Sequence, residues 1–247
     1  IFGRTATTAF EISSITAAAN LSSANPVGFV INGISAYDRT GISVSGGGDI
    51  NGDGFDDLIV SAPFGESWSP ITTYVNTGKT FVVFGKSSGA AVELSNLDTK
   101  VGSTRTDFAG TGGFVIRSEK LAGNDWVGWS VASAGDVNND GLEDLIIGAP
   151  KRDVGGTNVG GAYVVFGKTD TQVLDLSSLT AGTSTAGFVI RGYDSNTGYR
   201  VAAAGDVNGD GYEDLIVGSI NAESDGKAST FNNGRAFVVF GKSDGST

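Results

Sequence analysis

The chain has 247 residues, of which 39 are glycine and 4 are proline, and it contains no cysteine, methionine or histidine. This composition excludes disulfides, thiolate or imidazole metal ligands, and the Ser-His-Asp and Cys-His nucleophiles. The 27 acidic and 16 basic residues give a net charge of −11, which argues against nucleic acid or an anionic membrane surface as a partner and favours a cation held by oxygen atoms.

The length and the 39% hydrophobic content are sufficient for a folded core. The longest apolar runs, such as those at 80–85 and 145–150, are far shorter than the ~18 residues of a membrane-spanning helix, so we expect no membrane insertion. The first residues, IFGR, include no initiator methionine and no signal segment. We therefore expect a processed or excised piece of a longer protein.

One unit recurs along the chain. The tag [IV]FG[RK] occurs at 1–4, 83–86, 165–168 and 239–242, so that its glycines are separated by 82, 82 and 74 residues. Other motifs keep the same order: FEISSI, VELSNL and LDLSSL at 10–15, 92–97 and 174–179; GFVI at 28–31, 113–116 and 187–190; GISV, GWSV and GYRV at 41–44, 128–131 and 198–201. A fixed period of this length is typical of repeat architectures.

Each period contains four short runs rich in valine, isoleucine and aromatic residues, separated by turn residues, and no helical periodicity. In the second period the predicted strands are 128–133, 144–149 and 161–166, with 113–116 or 187–190 as the outer partner. Four strands per repeat predict an all-β fold made of β-propeller blades of four antiparallel strands, with an ordinary antiparallel sandwich as the alternative.

The predicted blades do not form a closed ring by themselves. We treat 1–247 as a single region with blade-equivalents at about 1–39 (the outer part of a blade), 40–117, 118–191 and 192–247, the last of which lacks its outer strand. The first of these ranges supplies one strand and the last supplies three, so the chain holds twelve predicted strands, equal to three blades, whereas propellers close with about four to eight blades. The propeller is therefore incomplete unless it is extended by a longer chain or completed by a homo-oligomer.

The fourth repeated motif is D-x-N-x-D-G-x-x-D. Its oxygen atoms at positions 1, 3, 5 and 9, with the backbone carbonyl at position 7, suit Ca²⁺, and its glycine at position 6 permits a sharp left-handed turn. The predicted ligands of the three calcium sites are Asp49, Asn51, Asp53, Phe55 and Asp57; Asp136, Asn138, Asp140, Leu142 and Asp144; and Asp206, Asn208, Asp210, Tyr212 and Asp214.

The motif differs from an EF-hand in the residues after it. Position 12 is Val60, Ile147 or Val217 within a predicted strand, where an EF-hand has a bidentate glutamate and a helix. We therefore expect hairpin loops. The alternative is a set of turns that bind nothing, but three copies that each cluster carboxylates favour a cation. The acids at position 8, Asp56, Glu143 and Glu213, are expected to point away from the ion towards neighbouring groups or solvent.

These motifs resemble the FG-GAP repeat of the integrin alpha-subunit propeller and of bacterial secreted proteins, over essentially the whole chain. The resemblance implies Ca²⁺ between the first and second strands of each blade, an extracellular setting (secreted or cell surface), and a role in adhesion or recognition. The sequence departs from the pattern at two places. The phenylalanine before the first glycine is replaced by Thr40, Val127 and Thr197, and the third GAP is replaced by Gly218, Ser219 and Ile220.

We expect a protein or glycan ligand on the loop face opposite the calcium loops, because those loops differ between repeats and carry aromatic residues and arginine. These residues are Tyr37, Trp68, Tyr74, Trp126, Arg152, Tyr193 and Phe231. Packing between blades is the alternative for Trp126 and Phe231. The expected function is a calcium-stabilised, non-enzymatic binding or structural module; a carbohydrate-binding lectin and a polysaccharide-degrading enzyme are the alternatives.

Overall fold

Three antiparallel sheets follow one another along the chain in the computed structural model of the protein. The structure describes residues 11–16, 26–65, 67–68, 73–74, 76–98, 100–101, 104–105, 112–117, 124–154, 157–192, 196–222 and 233–241. The tag at 1–4, Tyr193 and Phe231 lie outside these ranges.

The sheets are the predicted blades. The first blade consists of β2 (Val44–Gly48), β3 (Asp57–Ala62), β6 (Lys79–Val83) and β10 (Gly113–Arg117). The second consists of β11 (Ser130–Gly135), β12 (Asp144–Gly148), β15 (Gly161–Val165) and β17 (Gly187–Arg191). The third has three strands among the described residues, β18 (Thr197–Gly205), β19 (Asp214–Ser219) and β20 (Arg235–Val239). The predicted all-β fold of four-stranded blades is confirmed, and the sheets in the described ranges do not close into a ring.

The remaining strands are short. Two edge strands, β7 (Val92–Glu93) and β16 (Leu174–Asp175), run parallel to β1 (Ile31–Asn32) and to β10, respectively. Three small hairpins are β4 (Ser67–Trp68) with β5 (Thr73–Tyr74), β8 (Lys100–Val101) with β9 (Thr104–Arg105), and β13 (Asp153–Val154) with β14 (Thr157–Asn158).

Short helical turns were not expected from the sequence. The structure contains 3₁₀ turns at Ile12–Ser14 and Leu94–Asn96 and a five-residue helix, α1 (Leu176–Thr180). Asp175 caps α1 by accepting a hydrogen bond from Ser177 N at 2.8 Å. The two buried leucines of α1 pack into the core. No helix in the described part of the chain is long and apolar enough to cross a membrane.

The predicted strand at 28–31 is shorter than expected. Only Ile31–Asn32 form a strand, because β7 is the one described segment that pairs with them. In the repeats, this position corresponds to the outer strands β10 and β17, each of which also has an antiparallel neighbour. The second blade takes 187–191, and not 113–117, as its outer strand.

The apolar core lies between the blades. Ile59, Val82 and Phe114 of the first blade pack against Ile147 and Tyr163 of the second. A second cluster joins the second and third blades in the same way. The second blade is covered on both faces, and every residue of its strands β12 and β15 is therefore buried. This burial explains why these two strands are almost continuously apolar.

Serine hydroxyls link the innermost strands of consecutive blades. Ser43 Oγ accepts a hydrogen bond from Val131 N at 3.0 Å, and Ser130 Oγ accepts one from Val201 N at 3.2 Å. These two serines occupy the same position in the repeat. Both interfaces between consecutive blades therefore contain the same serine hydrogen bond.

Candidate metal centres

Each predicted calcium loop is a hairpin between the first and second strands of a blade. The loops join β2 to β3, β11 to β12 and β18 to β19, as expected. A glycine with positive φ precedes position 1 at a register shift in each inner strand; we call Gly48, Gly135 and Gly205 the bulge glycines.

The glycine at position 6 adopts the predicted left-handed conformation in all three loops, with φ of 89° at Gly54, 90° at Gly141 and 92° at Gly211. Position 4 is also left-handed, at Gly52, Asn139 and Gly209. These two left-handed residues curl the chain so that the backbone N–H groups point into the loop.

The loop side chains at positions 1, 3 and 5 bind that backbone. In the first loop, Asp49 Oδ1 accepts hydrogen bonds from Gly52 N at 2.8 Å and Asp53 N at 3.0 Å, and Asp49 Oδ2 accepts one from Gly54 N at 2.9 Å. Asn51 Nδ2 donates to Asp53 Oδ2 at 3.0 Å. The second and third loops contain the same asparagine-to-aspartate bond and the same bonds to positions 5 and 6. The three loops thus share one geometry.

The aspartate at position 9 is buried and bridges two parts of the blade. Asp57 Oδ2 accepts a hydrogen bond from Ile50 N at 3.0 Å, and its Oδ1 accepts one from Gly85 N at 2.8 Å. Val137 and Gly167 donate to Asp144, and Val207 and Gly241 donate to Asp214, in the same way. The glycines Gly85, Gly167 and Gly241 belong to the [IV]FG[RK] tag. The regular spacing of this tag revealed the repeat, but its role at the site was not predicted.

In the first two loops, burial and neighbouring charge oppose ionisation of this aspartate. The pKa of Asp57 is raised to about 6, mainly by burial and further by the charges of Asp53 and Asp49, although its two backbone hydrogen bonds act in the opposite direction. The pKa of Asp144 is raised to about 7 by burial, with Asp140 and Asp136 adding to the increase. In the exposed part of the third loop, the backbone hydrogen bond from Gly211 lowers the pKa of Asp206. A cation within the loop would offset the repulsion between these carboxylates.

In the described part of the chain, no three acidic side chains already form a compact metal-binding group. The carboxylates instead accept hydrogen bonds from the loop backbone. Asp49 Oδ1 accepts two of them, whereas Asp49 Oδ2 accepts one and retains a further lone pair. Three carboxylates, an amide oxygen and a backbone carbonyl in one loop are the hard oxygen donors that Ca²⁺ takes. The donor set therefore fits calcium, and the ligand assignment stays a prediction.

The acids at position 8 face the preceding blade. A side chain at Gly48 would collide with Glu143, and one at Gly135 would collide with Glu213, so the absence of a Cβ makes room for these glutamates. Ser133 Oγ also donates to Glu143 Oε2 at 3.3 Å. Glu143 and Glu213 therefore take part in blade packing, whereas Asp56 is exposed.

At the opposite ends of the strands, aromatic side chains of all three blades meet. Trp126 stacks on Trp129 with ring centroids 4.9 Å apart, Phe64 contacts both rings, and Tyr199 lies 5.6 Å from Trp129. The rings are half-buried. Trp126 thus packs between blades, the alternative considered for it.

Cationic side chains lie over the same aromatic rings. Arg39 lies 4.8 Å from the Phe64 centroid, Lys151 lies 5.6 Å from Trp126, and Arg200 lies 5.6 Å from Tyr199. Such pairs are attractive because of the ring quadrupole. This face therefore combines aromatic and cationic groups, as expected. Of the residues in these contacts, only Trp126 was named from the sequence.

The expectation that Arg152 is displayed on this face is wrong. Arg152 is 3% exposed, and its Nε donates to the Tyr163 hydroxyl at 3.1 Å. Its neighbour Asp125 is also buried, which raises the pKa of Asp125 to about 6. Among the other predicted residues, Tyr37 is 90% exposed, and Trp68 and Tyr74 lie in the paired strands β4 and β5.

Comparison with known proteins agrees with this architecture. The FG-GAP repeat model matches residues 40–83, 127–165 and 197–231. The chain is 28% identical to integrin alpha-4 of Xenopus laevis and 29% identical to integrin alpha pat-2 of Caenorhabditis briggsae, over 71% and 69% of its length. It is 31% identical to phosphatidylinositol-glycan-specific phospholipase D of Bos taurus over 77% of its length.

The chain spans only 14%, 12% and 20% of the length of these three relatives. The matched segments begin at or just before the inner strands and include the calcium loops of all three blades. With three such repeats on three consecutive sheets, the chain is an FG-GAP repeat protein similar to the integrin alpha subunits.

Proposed function

We propose that this chain is a calcium-binding β-propeller module of a secreted or cell-surface protein, that Ca²⁺ stabilises it, and that it acts in adhesion or recognition. The observation that carries the proposal is the threefold repetition of one loop geometry around a carboxylate-rich centre. The loops account for much of the acidity, since they contain twelve of the 27 acidic residues. Extracellular calcium modules commonly bind with Kd of roughly 10⁻⁴–10⁻³ M, which suits a calcium-rich extracellular setting.

Each ion would take the side-chain oxygens of positions 1, 3, 5 and 9 and the carbonyl of position 7. Position 9 opens the second strand and is bonded to the end of the third strand, as Asp57 is to Gly85. An ion held there ties the hairpin to the rest of its blade. The module is therefore expected to depend on calcium for stability and not for chemistry.

Asp140→Ala tests the ligand assignment. This substitution removes a carboxylate from the second loop, so calorimetric titration with Ca²⁺ should count two sites where the unaltered chain has three. The matched control is Glu143→Gln, which removes a charge from position 8 of the same loop and should retain three sites. A count of three for Asp140→Ala would refute the assignment.

The recognition surface in this proposal is the face opposite the calcium loops. Its support is the aromatic cluster of Phe64, Trp126, Trp129 and Tyr199 with cations above three of the rings. Aromatic and cationic groups are enriched at binding hot spots. The ligand would be a protein or a glycan.

A catalytic role is the second candidate, because relatives named phosphatidylinositol-glycan-specific phospholipase D match the chain. Incubation with polysaccharides and with a phosphatidylinositol-glycan substrate, followed by product analysis, tests it. We expect no products. Binding on a glycan array without turnover would identify the lectin alternative, and turnover would replace the proposed function with catalysis.

A further inference from the structure

The aromatic cluster at the end opposite the calcium loops lies in the middle of the three described blades. Trp126 and Trp129 belong to the second blade, Phe64 reaches them from the first blade, and Tyr199 reaches Trp129 from the third. The rings of the second blade therefore have a described blade on each side. All four side chains are half-buried, so part of each is open to a ligand.

In the first two blades, a cation lies over a ring at this end, although the residue types have exchanged places. Arg39 and Trp126 occupy the same position of the repeat, two residues before the glycine of GISV or GWSV, and Phe64 and Lys151 both follow the proline of the GAP turn. Arg39 lies over Phe64, whereas Lys151 lies over Trp126. Both blades thus keep the cation–ring pair while the position of each partner differs.

The third blade shows that the fold does not need a pair at these positions. Asn196 and Asn221 occupy them there, and the strands of that blade still pair in antiparallel fashion. The calcium loops behave differently, since positions 1, 3, 5, 6 and 9 hold the same residue in all three blades. A surface feature that the fold does not require is expected to serve binding.

Positive charge faces solvent at this end of the blades. Neither Arg39 nor Lys151 forms an ion pair within the part of the chain that the structure describes. Of the acids beside them in the sequence, Asp38 and Asp125 are buried and only Asp153 is exposed. The acidic loops lie at the other end of the strands, roughly 17–20 Å away. At physiological salt their field is largely screened beyond about 8 Å.

A cation beside a half-exposed ring matches the chemistry of an acidic sugar. The C–H groups on one face of a sugar ring pack against an aromatic ring, and its carboxylate or sulfate group accepts hydrogen bonds from a guanidinium or ammonium group. Because Trp129 Nε1 is buried, the part of that indole which solvent reaches is hydrocarbon. An acidic peptide would satisfy the cations, but its carboxylates are carried on flexible chains without a flat apolar face.

We propose that this end of the first two blades binds an acidic polysaccharide. Its sugar rings pack on Phe64 and Trp126, whose centroids are 5.8 Å apart, and its anionic groups bind Arg39 and Lys151. This ligand class rests on the proposed recognition function and specifies its ligand. The chemistry required is an anionic group on a sugar, which either a carboxylate or a sulfate supplies.

Matched polysaccharides test the ligand class. Titration of tryptophan fluorescence measures binding, since two of the three tryptophans lie in the cluster. We expect binding of hyaluronan, which carries carboxylates, or of dextran sulfate, and no binding of uncharged dextran; the tighter of the two acidic chains identifies the anionic group. Salt should weaken binding because exposed ion pairs are screened. Failure of both acidic chains to bind, equal binding of dextran, or equal binding of polyglutamate or oligothymidylate overturns the proposal.

Charge-removing variants test the location. Lys151→Gln should weaken binding by roughly two- to fivefold, and the double variant with Arg39→Gln by about tenfold. The matched control is Lys86→Gln, which removes a cation that lies over Phe29 at the calcium end and should leave binding unchanged. Equal losses for Lys151→Gln and Lys86→Gln would contradict this location. Calcium titration of the same samples keeps the tests separate, because three calcium sites without polysaccharide binding refute only the ligand class.

Discussion

Removal of Ca²⁺ with EGTA should lower the melting temperature of this protein substantially, and added Ca²⁺ should restore it. Binding to the folded state alone stabilises by about 2.7 kcal/mol per site at a free concentration 100-fold above Kd. For a domain of this size each kcal/mol shifts Tm by about 2–4 °C. Three sites that act on one transition should therefore change Tm by roughly 15–30 °C.

Thermal denaturation followed by circular dichroism measures this shift. The control is a variant with Asp53, Asp140 and Asp210 all changed to alanine, whose Tm should not respond to EGTA. Melting curves that coincide with and without calcium in the unaltered chain would refute calcium stabilisation.

Gly198→Ala should be among the most destabilising single substitutions outside the metal centres. Gly198 has a φ of 84°, and a Cβ there would overlap the carbonyl oxygen of Gly161 in the preceding blade. The left-handed conformation costs alanine about 1–2 kcal/mol, and overpacking adds about 1–3 kcal/mol. A loss of about 3 kcal/mol or more should lower Tm by roughly 6–12 °C.

Two further substitutions separate the cost of the left-handed conformation from the cost of overpacking. Gly182 has a φ of 66° with nothing within 4 Å of a Cβ position, so Gly182→Ala should show only the conformational cost. Gly148 lacks a positive φ, but a Cβ there would meet the carbonyl oxygen of Gly198, so Gly148→Ala should show the steric cost. Chemical denaturation at constant calcium measures the free energy of unfolding of all three variants. If Gly198→Ala costs no more than Gly182→Ala, close approach of the blades does not constrain this position.

The repeat pattern was enough to predict the strands that form the blades. The strand at 144–148 is apolar after Asp144, between a carboxylate loop and a GAP turn, and it matches its prediction almost residue for residue. Local chemistry also predicted the hairpins and their left-handed glycines, because a positive φ is a property of single residues that glycine permits. The calcium ligands remain predictions that rest on the donor types.

Predictions about exposure were less accurate. Arg152 follows a turn signal and was expected on a loop face, yet it is buried against Tyr163. For Trp126 both display on that face and packing between blades were considered, and it packs between blades. The Arg152 contact joins a loop residue to a residue of β15, and nothing in the local pattern around Arg152 specifies that partner. Trp126 and Trp129 belong to one turn, but their contacts with Phe64 and Tyr199 come from the neighbouring blades.

The amino-acid sequence alone therefore determined the strand content, the grouping of four strands into each blade and the position of each carboxylate loop, because these depend on short-range patterns that repeat. Only the tertiary structure decided which GFVI strand belongs to which blade, what the glutamates at position 8 contact, and that the tag glycines hold the buried aspartates. Those features arise where one blade meets the next or one strand meets another far along the chain. Packing and backbone hydrogen bonds across such distances depend on three-dimensional placement, which spacing along the chain does not encode.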